Sequence, residues 1–187
     1  MNEVFAGRFK LNGGVYYEAG LISDAIDIIT GIIFVREAPG EKIPAVYISA
    51  CLSVELAAGL KSSLAEKGEI KFLDHPSDEA DFSISAFKAL ISTSGSIAIC
   101  HKTAPRNDSI FGAASVLVSE NPEKYDTIDD FFAAVSSGKS CLVPDFMTMI
   151  SGPSKTADIE KQIITGMHGP KKLFAVGIFA DGSSGAH

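Results

Sequence analysis

Short apolar runs with strand character alternate with runs whose apolar residues recur at helical spacing, and this alternation limits the chain's fold more than any other feature. Residues 14–18 (GVYYE) are β-prone, and Ser23 then caps a run in which Ala25, Ile26, Ile29, Ile32 and Ile33 share one helix face. A polar break, APGEKIP, precedes a short apolar strand at 45–49. Residues 53–67 read as a helix with Leu56, Leu60 and Leu64 on one face and Gly68 as its stop. Strands are expected at 70–73 and 81–85, with a loop at 75–79 between them and a short helix at 86–91. Further strands at 96–100 and 115–119 flank a polar loop, 101–108. Thr127 opens a helix with Asp130 three residues on, and Gly138 closes it. A strand ending at Ile150, a loop and helix within 152–170, and a strand at 173–179 complete the series. Strands alternating with helices predict a three-layer α/β/α domain with a largely parallel sheet. No repeat or linker interrupts it, so one domain is expected over 1–187.

Composition narrows the function classes. The net charge of −7 argues against a nucleic-acid or anionic membrane surface, which would need a basic patch. No basic flank leads into an apolar core near Met1, and the apolar stretches are short for a bilayer, so a cytoplasmic protein is expected. Cys51, Cys100 and Cys141 are scattered, with no C-x-x-C pair, and are expected as buried core thiols. His75, His101, His168 and His187 show no ligand spacing either. An iron–sulfur cluster or structural zinc needs four ligands, so no metal or cofactor is expected on this chain.

The segment 152–170, GPSKTADIEKQIITGMHGP, carries the most chemistry. Gly152, Pro153 and Ser154 would let the backbone approach an anion, Thr156 adds a hydroxyl, and free N–H groups at a helix start supply donors. Plain capping by Ser154 or Thr156, with Asp158 in the first turn, uses the same residues. Ser94-Gly95-Ser96 forms a turn able to line a ligand crevice, and Arg106 could grip a carboxylate in bidentate fashion. Ligands in open α/β sheets bind beyond the carboxyl ends of strands. The 152–156 loop follows the strand ending at Ile150, so it is expected there, beside the 94–96 turn and within reach of Arg106. A helix over 156–165 would rise about 15 Å, which leaves His168 at the far end in a structural role. No dinucleotide fingerprint, phosphate-binding P-loop or nucleophile elbow is present, and no catalytic residue is assigned.

That segment resembles the C-terminal signature of the LUD-domain family, the lactate utilisation protein C group. The resemblance continues upstream: from Asp81, DFSISAFKALISTSGSIAI lies without gaps on the family's pattern of aspartate, strand, small helix and Thr-Gly-Thr turn, here Ser94-Gly95-Ser96. Arg106 with the following SIF matches the family's arginine segment, and 116–118 its next strand. The signature region is 81–179. Thr93 stands where members often have glutamate, Ser115 where a histidine is common, and Gly112-Ala113 replace prolines. Members also carry a helical arm ahead of the first strand, an element not expected here.

The resemblance implies a fold like ribose-5-phosphate isomerase and the CoA transferases. It also implies a role in a three-protein system that oxidises L-lactate to pyruvate, with the iron–sulfur clusters on partner proteins. The chain would bind a small organic acid without redox chemistry of its own. The alternatives are a stand-alone enzyme or binding protein for a phosphorylated or CoA-linked small acid, and a paralogue that only assembles with partners. The stripe Ile159, Ile163 and Met167, with Ile164 off it and Phe131 beside Phe132, leaves more than one apolar face to cover. A homodimer or partner-bound state is therefore expected.

Overall fold

The computed structural model describes residues 2–34, 43–101, 111–140, 146–157, 163–165 and 169–179. It opens with a helix, α1 (Asn2–Leu11), in place of the bare approach to the first strand expected from the sequence. Phe5 and Phe9 lie four residues apart, hence on one helix face, and stack with ring centroids 5.3 Å apart. Both are fully buried, so α1 is held by its aromatic stripe.

β1 (Val15–Ala19) leads into α2 (Ile22–Phe34), and β2 (Ala45–Ile48) into α3 (Val54–Lys67). Helix α2 begins one residue before the expected cap, and the Asp24 carboxylate, not Ser23, accepts the Leu21 N–H at 3.1 Å. The Ser53 hydroxyl caps α3 by accepting the Leu56 N–H at 3.2 Å. Leu56, Leu60 and Leu64 are all buried, each worth about 1.5–3 kcal/mol relative to exposure. Then come β3 (Lys71–Leu73), β4 (Phe82–Ala86), β5 (Ala89–Ile91), β6 (Ser96–His101), β7 (Ala114–Glu120), β8 (Glu123–Tyr125) and α4 (Ile128–Ser136). β5 occupies the stretch expected as a short helix; its Ala89, Leu90 and Ile91 are buried on both faces between β6 and β8. The expected capping box of α4 is present, with Thr127 Oγ1 accepting the Asp130 N–H at 3.1 Å and Asp130 accepting the Thr127 N–H at 3.0 Å. The chain closes with β9 (Phe146–Ile150), β10 (Lys155–Ala157), β11 (Ile163–Thr165) and β12 (Lys172–Ile178).

Six strands form an all-parallel sheet in the order β1-β12-β7-β4-β2-β3. Strand alternation splits its side chains between two cores. Phe82, Ile84, Val116, Val118, Phe174 and Val176 pack with α2 and α3. Leu117, Leu173 and Ala175 point the other way, onto Phe5, Phe9, Leu90 and Ile97. The fold is thus α/β with helices on both faces of a parallel sheet. The second face carries, besides α1, a smaller sheet in the order β8-β5-β6-β9, whose outer side takes Phe131 of α4.

Two further expectations change. The 152–170 segment is no strand–loop–helix unit: β10 and β11 pair antiparallel, Lys155 opposite Thr165 and Ala157 opposite Ile163. β-branched Thr156, Ile163, Ile164 and Thr165 favour that extended form over a helix. Asp158, Ile159, Met167, His168 and Arg106 lie outside the described residues, as does Cys141. The other two thiols are not deep core residues: Cys51 is exposed and Cys100 only partly buried. Burial, then the Glu123 carboxylate, pushes the Cys100 thiol up to about 11 against the opposing pull of Lys88.

Candidate functional site

The turn joining β5 to β6 spans 92–95 and ends on Ser94-Gly95, and the residue after β9 is Ser151. Because β6 and β9 pair antiparallel, Ile97 opposite Ile150, the start of one strand and the end of the other meet. The Ser96 and Ser151 hydroxyls lie 2.7 Å apart. Asn12, just past α1, donates its side-chain amide to the Ser94 carbonyl at 3.0 Å. Lys155 Nζ donates to the Asn12 carbonyl at 3.2 Å. The two serine–glycine motifs of the sequence are thus brought to one place, with Asn12 between them.

Both glycines are required by this closeness. Gly95 has φ +60, and a Cβ there would lie 2.6 Å from the Phe9 backbone nitrogen. A Cβ on Gly152 would run into the Asn12 carbonyl oxygen. The Ser94 hydroxyl is buried and meets no hydrogen-bond partner among the described residues, and neither does that of Ser92 nearby. A buried hydroxyl left unpaired costs about 1–3 kcal/mol, so these are groups that an added acceptor or donor would satisfy. Pro153 and Ser154 are half-buried, and the Ser154 N–H donates to the Pro170 carbonyl at 3.1 Å. The backbone at Thr156 is in β10.

The cluster does not lie where the sequence argument placed it. Asn12 and Gly13 immediately precede β1, and Pro170 shortly precedes β12, so the site is at the amino end of the parallel sheet. The reason is that β9 belongs to the smaller sheet; the loop after it owes nothing to the carboxyl ends of the parallel strands. Asn12 was missed by sequence reading, as was Lys155. The available signal was the Asn-Gly-Gly run ahead of the first strand. Arg8 and Lys10 fill the last turn of α1, and Lys171 and Lys172 stand at the start of β12, so this end of the sheet is rich in basic side chains.

The carboxyl end differs. A crevice of about 580 Å³ opens there between the N-terminal parts of α2 and α3, lined by Gly20, Leu21, Ile26, Glu55, Glu120 and Asn121 among others. Its described lining residues include two carboxylates and no basic side chain. The Leu21 N–H, a donor that an anion could use at the start of α2, is already taken by Asp24. Among the described residues no cluster of His, Cys, Asp or Glu could hold a metal ion, and no helix is long and apolar enough to cross a membrane.

Comparison with known proteins identifies the architecture. A solved structure of a DUF162 family protein from Deinococcus radiodurans superposes with a TM-score of 0.61, covering 95% of each chain at 15% identity. At that identity the likeness speaks for the fold. Among curated proteins none matches the chain. The LUD domain matches over residues 3–176, nearly the whole length, and the chain belongs to the LUD-domain family.

Proposed function

We propose that this LUD-domain chain is a non-redox subunit of an organic-acid oxidation system, converting L-lactate to pyruvate together with iron–sulfur partner proteins, and that it takes the acid at the amino end of its parallel sheet. One observation carries the reading: the family's two hydroxyl-and-glycine motifs, Ser94-Gly95-Ser96 and Gly152-Pro153-Ser154, converge at the Ser96–Ser151 contact while leaving the Ser94 hydroxyl without a partner among the described residues. A small carboxylate is the natural complement of hydroxyl donors in a basic surround. Arg106, Thr156 and Asp158 belong to the same proposal through the family signature. Redox equivalents would pass to the partners, since the chain offers no cluster-type cysteine set.

The alternative, a phosphorylated or CoA-linked ligand at the strand carboxyl ends, is disfavoured by Glu55 and Glu120 lining the crevice there. Copurification tests the assembly: tagged chain isolated anaerobically from lactate-grown cells should bring down brown, iron-containing partners. Titration with L-lactate and pyruvate should show saturable binding by the chain, without dye reduction by the chain alone. Isolation with no iron protein attached, together with no binding of either acid, overturns the proposal.

A further inference from the structure

β1 ends the parallel sheet, and no described strand pairs its outer side. An open edge is normally blunted by brevity, by lysine, by proline or by a bulge. The opposite edge, β3, follows that rule: it has three residues, including Lys71, which bridges to Glu79 at 3.7 Å. In the smaller sheet one edge strand, β8, is also three residues long and contains Lys124, while the other, β9, is five residues without lysine or proline. β1 is not short and has neither lysine nor proline; its one charged residue is the exposed Glu18. It is five residues, VYYEA, and Val15 is 38% exposed.

The direction of its free backbone groups can be read from the structure. The Phe179 N–H donates to the Ala19 carbonyl at 2.9 Å, so Ala19, and with it Tyr17 and Val15, direct their backbone groups toward β12. Backbone groups alternate sides along a strand, so the N–H and C=O of Tyr16 and Glu18 face outward. These are four groups, two donors and two acceptors. An antiparallel copy of the same strand meets all four in one register, with Tyr17 opposite Tyr17 on a two-fold axis and Tyr16 opposite Glu18 on either side. Shifting the axis to Glu18 would oppose two carboxylates, which is unfavourable. Shifting it to Tyr16 would use Gly14, whose N–H already donates to the Phe9 carbonyl at 2.9 Å. The surviving register also sets Val15 against Ala19, apolar against apolar.

We infer that β1 is a self-association edge: two copies of this chain pair through it about a two-fold axis at Tyr17, making one continuous twelve-stranded sheet. Such an interface is isologous, so it closes at a dimer and does not propagate. The seam uses β1 and not the Ser94–Ser96 and Gly152–Ser154 segments, so it stands or falls independently of the ligand proposed above.

Sedimentation velocity on the full chain at about 100 μM should give twice the 19.7 kDa chain mass. Glu18→Pro removes one outward N–H that β12 does not use, a position where proline is tolerated in an edge strand; it should sediment as a monomer with an unchanged circular dichroism spectrum. Tyr17→Cys should form an intermolecular disulfide between the two introduced thiols, because non-hydrogen-bonded antiparallel partners have Cα atoms about 4.5 Å apart, within disulfide reach. Glu18→Cys should form no such symmetric bond. Peptide mapping separates these products from bonds made by native thiols. A wild-type monomer at that concentration overturns the inference. So does a folded Glu18→Pro dimer, or a dimer in which Tyr17→Cys fails to crosslink.

Discussion

The amino end of the parallel sheet ties glycines, serine hydroxyls, Asn12 and Lys155 into one cluster, with further basic residues at the end of α1 and the start of β12, whereas the carboxyl end holds an open crevice edged by Glu55 and Glu120. In α/β sheets the carboxyl end is the usual ligand site, because loops there fan out over the helix N-termini. Here the chain spends that end differently. The smaller sheet stacked on the second face brings its own strand ends, those of β6 and β9, to the opposite side. The lesson is that a strand-then-loop motif locates a site only once the sheet that owns the strand is known.

The sharpest way to break this contrast is steric. Gly95→Ala forces a Cβ onto the Phe9 and Arg8 backbone at φ +60. Backbone cannot step aside, so the change should cost about 2–3 kcal/mol, read as a lower urea midpoint. At the other end, Gly59→Ala meets only the tip of the Ile26 side chain, which can rotate away, and alanine is the better helix former. That variant should stay within about 1 kcal/mol of the parent. Equal losses from both substitutions would mean the amino end is no more constrained than the carboxyl end.

A second difference is chemical. Cys51 lies exposed in the loop after β2, while the Cys100 thiol is partly buried and pushed up to about 11. Only the thiolate attacks, so iodoacetamide at pH 8 should modify Cys51 on the order of tenfold faster than Cys100. The same shift carries a stability consequence with a definite sign. The folded state holds the Cys100 proton more tightly than the unfolded chain, whose thiol titrates near about 8.5. Its contribution is complete below that pH and is lost as pH rises toward about 11. Cys100→Ser should flatten the alkaline side of a urea-midpoint profile. An unchanged alkaline slope would assign that loss to other groups, such as Tyr16, whose phenol is raised by burial and by Glu18.

Local order was legible wherever periodicity and capping agreed. Leu56, Leu60 and Leu64 announced α3, Thr127 and Asp130 announced α4, and the parallel strands followed from their short apolar runs. Besides the helix α1 ahead of the first strand, errors fell where several short elements lie between strands of the parallel sheet. The residues at 86–91 are apolar without a period, which does not tell a buried strand from a helical turn. In 152–170 an isoleucine spacing compatible with a helix competed with β-branched residues, and the pairing of β10 with β11 decided the outcome. Asn12 could not be found from spacing at all, since its importance is a contact with Ser94 across 82 residues. The convergence of the 94–96 and 152–154 motifs was legible; the end of the sheet on which they converge was not.

The smallest effect bears most directly on which end receives an acid. Lys155 is exposed, and its ammonium donates to the Asn12 carbonyl beside the serine cluster. Glu120 is equally exposed at the rim of the opposite crevice. Reversing an exposed charge changes a nearby ionic interaction by about 1 kcal/mol or less, since water screens it. Lys155→Glu should therefore weaken L-lactate or pyruvate binding by about fivefold at low salt, with the difference shrinking as salt shortens the Debye length to about 8 Å. Glu120→Lys lies on the far side of the sheet and should leave that affinity unchanged. Titration calorimetry on both variants reads the contrast in one experiment. If instead Glu120→Lys tightens acid binding while Lys155→Glu does nothing, the acid enters at the carboxyl end, and the amino-end cluster is a structural tie between α1, β6 and β9.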